Sequence, residues 1–302
     1  MTSERVAVPA RGKRVGVILA LLAALCWGMA VVMSKGALAG FPPLALFVMQ
    51  LAASVIFLWT SLLLRGVSLP GPREVWRRAW LGILEPGLAY VFGLIGLSAT
   101  AAGSATLISA SESVMIAGLA AVVLKERITL RFGALSALAI SGLLVAVGLK
   151  DLASDAFAGD AFILAGTAAA ALYVVLSSRL AARHDPVLVV ASQHSLALFF
   201  SAPLVVVEIA SGDFGGSTAI SPSLWALAIA SGVVQNALAF SFYLGAMRFI
   251  TASLAGAFLT LAPIVTLTGA ALFLGESLTA IQLMGAALTI GAVAAMSLAR
   301  GR

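Results

Sequence analysis

The chain has 302 residues, of which 62% are hydrophobic and 10% charged, with a formal net charge of +6 and a mean hydropathy of +1.11. Soluble domains are about half apolar and about a quarter charged. So few charges cannot cover the surface of a soluble protein this size, which excludes an ordinary globular chain and a disordered one. The single cysteine, Cys26, excludes an internal disulfide scaffold. What remains is an all-α, polytopic membrane protein, and ten spans of about 20 residues would fill roughly two thirds of the chain.

In chain order, Met1 to Arg14 form a polar, basic tail. Ten apolar segments follow, at 15–38, 44–64, 77–98, 101–124, 132–149, 160–181, 187–209, 222–245, 251–273 and 281–299. They are long, rich in Ala and Leu, and lack the alternation of barrel strands, so each reads as a helix. Phe41-Pro42-Pro43, Pro70-Gly71-Pro72, Asp185-Pro186, Gly212 to Ser217 and Ser221-Pro222 punctuate them. The first segment is too long for a signal-peptide core, so it is expected to be retained as a span.

Ten spans place both termini on one side. With that side cytoplasmic, Lys35 and Lys150 are the only two of the 18 basic residues outside. The remaining bias fits a multi-pass protein of the cytoplasmic membrane, and it explains the net charge without nucleic acid as a partner.

The chain also repeats. At a shift of 150, Gly82, Leu88, Ala89, Phe92, Leu94, Ala102, Ala105 and Glu126 fall on Gly232, Leu238, Ala239, Phe242, Leu244, Ala252, Ala255 and Glu276. At a shift of 143, Pro43, Gln50 and Phe57 fall on Pro186, Gln193 and Phe200. The expected organisation is a tail at 1–14, a first five-helix repeat at 15–150, a second at 151–299 and a short end at 300–302. An odd number of helices per repeat inverts the second copy. Inverted repeats are the architecture of secondary transporters, with substrate held between the halves.

Leu124-Lys125-Glu126-Arg127-Ile128-Thr129 and Leu274-Gly275-Glu276-Ser277-Leu278-Thr279 follow the fourth and ninth spans, and Cys26-Trp27-Gly28 lies in the first. With the ten-helix, two-repeat plan, these resemble the drug/metabolite transporter superfamily, and within it the ten-helix EamA branch. The Pro43 to Gln50 spacing resembles that branch's helix-2 element, with Gln in place of the usual Arg. The resemblance covers about 15–299 and implies a cavity lined mainly by helices 1, 3, 4, 6, 8 and 9. It extends to bacterial exporters of aromatic and other neutral amino acids.

Charges inside spans are costly and usually functional. Glu85 precedes Pro86 in helix 3, and proline interrupts the helix beside the carboxyl. Its repeat partners are Gln235 and Asn236. Glu85 either lines a polar site or pairs with Arg77 or Arg78 near the headgroups. Glu112 lies midway along helix 4 among Ser109, Ser111 and Ser113. It either serves a site, donates to a serine on a neighbouring helix, or carries a proton. His194 has no second histidine in any span, so neither a metal nor a haem is expected. Gln50, Gln193 and His194 are either ligands or interhelical hydrogen bonders. Trp59, Trp76, Trp80 and Trp225 sit near predicted ends as interface anchors. Trp27, Tyr90, Tyr173, Phe240 and Tyr243 lie deeper, as core or as a clamp for an apolar group.

The candidate substrate-binding residues are thus Trp27, Glu85, Tyr90, Glu112, Tyr173, Gln235, Asn236, Phe240 and Tyr243, with Pro86 and Pro263 as hinges. No cofactor is expected, and the absence of a nucleophile–base constellation speaks against an enzyme. The partners are the lipid bilayer and a small-molecule substrate, with protons as an open coupling partner. The scarcity of buried cations favours neutral or zwitterionic cargo, amino acids above all, over phosphates. The competing readings are a proton-coupled exporter of cationic drugs and, from another class, a non-transporting scaffold or intramembrane enzyme.

Overall fold

The computed structural model describes residues 10–68, 71–99, 108–109, 111–147, 157–210, 220–274 and 278–299. All its regular elements are helical. The first two passes are α1 (Ala10–Ala37) and α2 (Pro43–Leu64). The third, α3, is composite: an α-helix at Pro72–Ala79, a 3-10 turn at Trp80–Ile83, a π-helical turn at Leu84–Leu88 and an α-helix at Ala89–Ala99. Then come α4 (Glu112–Val123), α5 (Leu130–Val147), α6 (Phe157–Ala181) and α7 (Pro186–Ala210). The eighth pass, α8, joins Pro222–Gly232, a π-helical turn at Val233–Leu238 and Ala239–Ala246. The ninth, α9, joins Ala252–Leu259 and Ala262–Leu274, and α10 spans Ala280–Ala299. An even number of passes puts both ends of the chain on one face of the bundle, called here the termini face.

Seven passes are single apolar runs long enough to cross a membrane, with shorter apolar helices at Glu112–Val123 and Leu130–Ala146. The tenth is the interrupted α3. Three interruptions depart from uniform helices. Glu85 has extended backbone (φ −147°, ψ 130°) where Pro86 removes a donor. The α8 π turn occupies the matching place in the second repeat. Thr260 and Leu261 break α9 just before Pro263. Ala102, Ala105, Gly275, Glu276, Ser277, Lys150 and the Gly212–Ser217 loop lie outside the described residues.

The two repeats interlock rather than sit side by side. α1 packs on α8 and α9, and by symmetry α6 packs on α3 and α4. α2 lies against α7, α4 against α9, and α5 against α10, so each of these pairs joins a helix to its own repeat mate. Glycine sets the closest crossings. A Cβ on Gly82 in α3 would overlap the carbonyl of Gln193 in α7. Its mate Gly232 in α8 would bring a Cβ within 2.5 Å of the Gln50 Cα in α2. Glycines and glutamines that the two sequence shifts pair therefore meet across the repeats, as a pseudo-twofold requires.

Polar bonds follow the same symmetry. The Gln50 amide donates to Ser34 Oγ at 2.8 Å and to Ser231 Oγ at 2.8 Å. The Gln193 amide donates to Ser177 Oγ at 3.3 Å and accepts from the Tyr173 hydroxyl at 2.8 Å. Ser34 and Ser177 are themselves 143 positions apart. Burying an amide in an apolar bundle is tolerated because each donor finds an oxygen.

Carboxylates fasten the helix ends. Glu126, after α4, accepts from the backbone N–H groups of Ala252 and Ser253 at 3.0 and 3.2 Å and from the Ser253 hydroxyl at 2.6 Å. Those are orphan donors at the start of α9. Glu208, near the end of α7, accepts from the N–H groups of Leu44 and Ala45 at 3.0 and 2.7 Å. Pro43 opens α2 and has no N–H, so Leu44 is the first residue of that helix with one to give.

Candidate functional site

A cavity of about 800 Å³ lies between the repeats, lined by residues of α1, α3, α4, α5, α6, α8 and α9 and by Ser109 ahead of α4. Position along each helix locates it. The lining residues nearest the termini face are Trp27 on α1, Ser113 on α4, Val174 on α6, Tyr243 on α8 and Leu259 on α9. The others lie toward the opposite face, among them Val31, Gly93, Leu143, Ile163 and Leu267. The cavity therefore extends from the middle of the bundle toward the face opposite the termini. Immediately on its termini side the bundle is packed, with Ile116, Leu244 and Leu254 each at most 1% exposed.

Aromatic rings make the termini-side wall. Trp27 meets Phe240 edge-on at 5.1 Å and Tyr243 at 5.3 Å, and Tyr173 lies 5.9 Å from Phe240. Trp27 reaches this position because its neighbour is glycine. At Gly28 the α1 backbone crosses the break of α9 so closely that a Cβ would lie 2.6 Å from the Ala262 carbonyl oxygen. Thr266 donates to the Gly28 carbonyl at 3.1 Å across the same contact. The Trp-Gly pair thus delivers an indole to the cavity and a bare backbone to α9.

Polar groups converge from the middle of the bundle. Glu85 and Glu112 both line the cavity, with Gln235, Ser109, Thr260 and Thr266. The Gln235 amide donates to the Tyr90 hydroxyl at 3.2 Å, and Gln235 Oε1 accepts from Ser34 at 3.4 Å. Tyr90 in turn stacks on Phe47 at 5.3 Å. Neither carboxyl has a hydrogen bond or ion pair among the described residues, and no lysine or arginine is among the lining residues. The described lining residues therefore give the cavity a formal charge of zero or below.

The candidate residues from the sequence fall in three places. Trp27, Glu85, Tyr90, Glu112, Tyr173, Gln235, Phe240, Tyr243 and Pro263 meet at the cavity. Glu85 does not pair with Arg78, which bonds Glu74 instead at 3.4 Å. Asn236 and Pro86 are not among the lining residues; both are buried in the π turns, and the Asn236 amide has no hydrogen-bond partner. His194 also sits behind the wall, with Nδ1 3.0 Å from Ser54 Oγ and its ring 4.9 Å from Phe240. Among the described residues no group of three His, Cys, Asp or Glu could hold a metal. Trp59, read as an interface anchor, instead donates to Ser195 between α2 and α7 at 3.0 Å, whereas Trp76, Trp80 and Trp225 are exposed. Ser109, Thr260 and Thr266 escaped the sequence reading as lining residues, because an isolated hydroxyl in an Ala-rich helix carries no signal of its own.

A family model described as the EamA-like transporter family matches the chain twice, over residues 14–148 and 157–298. The protein belongs to the EamA-like transporter family. The two matches fall one on each half of the chain, with five helical passes in each. A relative in Archaeoglobus fulgidus, described as an uncharacterized transporter, is 26% identical over 285 residues, covering 91% of this chain and 95% of that protein. A solved crystal structure superposes with a TM-score of 0.79 at 20% identity, covering 94% of this chain and 96% of that one, and supports the fold. This EamA-family protein is thus a multi-pass membrane transporter.

Proposed function

We propose that this transporter carries small neutral or zwitterionic metabolites, amino acids with aromatic side chains foremost, through the cavity between its repeats. The observation that carries this reading is the lining itself. Two carboxyls without cationic partners can accept from an ammonium group. Gln235 and the hydroxyl of Ser109 offer donors to a carboxylate, while the Thr260 hydroxyl, which donates to the Ala257 carbonyl at 2.7 Å, offers only an acceptor. Trp27, Tyr173, Phe240 and Tyr243 offer flat apolar surface for a side chain. Sugar phosphates and nucleotide sugars suit this cavity poorly, since nothing in it neutralises their charge. Transport would proceed by rocking of the repeats, with Pro86 and Pro263 flanking the bending points. The basic residues of the termini face support a reading in which that face lies in the cytoplasm, at a bacterial inner membrane. A cavity facing the opposite side then suits a release state of an exporter.

Counterflow in proteoliposomes tests this with aromatic, aliphatic and charged amino acids beside a cationic dye. Exchange of aromatic amino acids that is abolished in Glu85→Gln supports the proposal. Exchange of the dye alone would favour the second reading, a proton-coupled exporter of cations, which the same two carboxyls also suit. For that reading, Glu112→Gln should flatten the dependence of rate on pH.

A further inference from the structure

A second large opening lies on the termini face, away from the central cavity. It is a cleft of about 1240 Å³ framed by the start of α3, the ends of α4, α6 and α8, and the start of α9. Five arginines line it, Arg77, Arg78, Arg179, Arg183 and Arg248, against the glutamates Glu74 and Glu126. The acids are already engaged. Glu126 holds the N-terminus of α9, and Glu74 meets Arg78. Arg179 donates to the Val123 carbonyl. The guanidinium groups of Arg77, Arg183 and Arg248 make no hydrogen bond or ion pair among the described residues. The Arg78 side chain is only 11% exposed, and its Nη1 is buried with no partner among the described residues.

A buried guanidinium donor without an acceptor is costly, by roughly 1–3 kcal/mol or more. Beside three unengaged guanidinium groups, such an orphan calls for an acceptor that the described residues do not supply. The electrostatics agree. His184, at the rim, has its imidazole pKa lowered, first by burial and then by Arg78, with Arg183 and Arg77 adding to it against Glu74. Planar guanidinium forks match oxyanions, and a phosphate offers enough oxygens to meet arginines from several helices at once. The cleft also opens at the level where lipid headgroups lie.

We propose that this cleft binds a phosphate group, held by Arg78 on α3, Arg183 after α6 and Arg248 at the end of α8. The ligand bridges the first repeat and the second, so it stabilises the closed termini face. The phosphate comes either from a lipid headgroup of the adjoining leaflet or from free phosphate.

The test uses the full chain, delipidated in detergent. Thermal unfolding is followed against inorganic phosphate in one arm and against phosphatidylglycerol in the other, with retained lipid read by native mass spectrometry. Wild type should gain stability with ligand concentration. Arg183→Gln with Arg248→Gln should weaken the apparent affinity about tenfold or more, as expected for two lost charge-assisted contacts. The single Arg183→Gln variant, at an exposed side chain, should show a smaller loss. Arg127→Gln with Arg131→Gln, basic residues outside the cleft, should respond like wild type. A response to inorganic phosphate alone identifies free phosphate, and retained phosphatidylglycerol that phosphate cannot displace identifies a lipid. No stabilisation in either arm overturns the proposal, as does an equal loss in the control or an undiminished response in the double variant.

Discussion

Single side chains at helix ends hold this bundle together, and they behave predictably. Lys125 closes α4 with a positive φ of 54°, while the Glu126 N–H reaches back to the Ala120 carbonyl at 3.1 Å. Glycine favours that conformation, and the second repeat carries Gly275 at the matching position. Lys125→Gly should therefore stabilise the protein, by up to about 1 kcal/mol, read as a rise in unfolding temperature; a fall would show that the lysine side chain matters more than its backbone. Asp185 offers a pH test. Burial pushes its carboxyl up, but Arg65 at 2.7 Å and the N–H groups of Leu188 and Val187 outweigh that and leave it below the ordinary carboxylate range. A depressed folded pKa adds stability above the unfolded value of about 3.9, lost as pH falls through the folded one. The pair is half exposed, so the gain should stay within about 1 kcal/mol. Asp185→Asn keeps the cap on α7 but removes the charge, so it should flatten the acid-side decline between pH 5 and 3. An unchanged decline would assign that loss to other carboxylates.

Elements are broken at three points, in α3, α8 and α9, and the sequence marks these unequally. Pro86 beside Glu85 announced the break in α3, because proline must release a carbonyl one turn earlier. The matching π turn at Val233–Leu238 has no proline and no glycine inside it, so nothing in the chain marked it. The lining was legible where charge or aromatics stood out in an apolar helix, as with Glu112 and Trp27. Glu208 was not, because an acid at the end of a span looks like any loop acid until α2 is seen starting against it. Crossings give the sharpest test at this scale. At Gly82 and Gly232 an added Cβ meets backbone rather than a flexible side chain, so nothing yields cheaply. Gly82→Ala or Gly232→Ala should each cost about 2 kcal/mol or more. Gly118→Ala in α4, where a Cβ meets nothing within 4 Å, should gain up to about 1 kcal/mol from helix propensity. Equal effects at all three sites, followed by thermal unfolding in detergent, would sink the crossing argument.

At the scale of the whole molecule, two openings of opposite character lie toward opposite faces of the bundle. The cavity carries carboxyls and aromatic rings; the termini-face cleft carries arginines; packed side chains of α4, α8 and α9 separate them. The interlocked repeats are mechanically coupled, because α1 and α6 each pack on two helices of the other half. If the halves rock, the same residues must become reachable from the other face. Cys26 is the sole native cysteine, so Cys26→Ala gives a clean background for single probes. On it, Ser109→Cys in the cavity should react with a membrane-impermeant maleimide added from the side opposite the termini. Arg183→Cys should react only from the termini side. A transported substrate should slow labelling at Ser109→Cys by occupancy and, during exchange, open Ala255→Cys, a fully buried position on α9, to reagent from the termini side. Labelling of Ser109→Cys from the termini side alone would reverse the outlet assigned here. An Ala255→Cys that stays unreactive during measured exchange would remove rocking of the repeats as the transport mechanism.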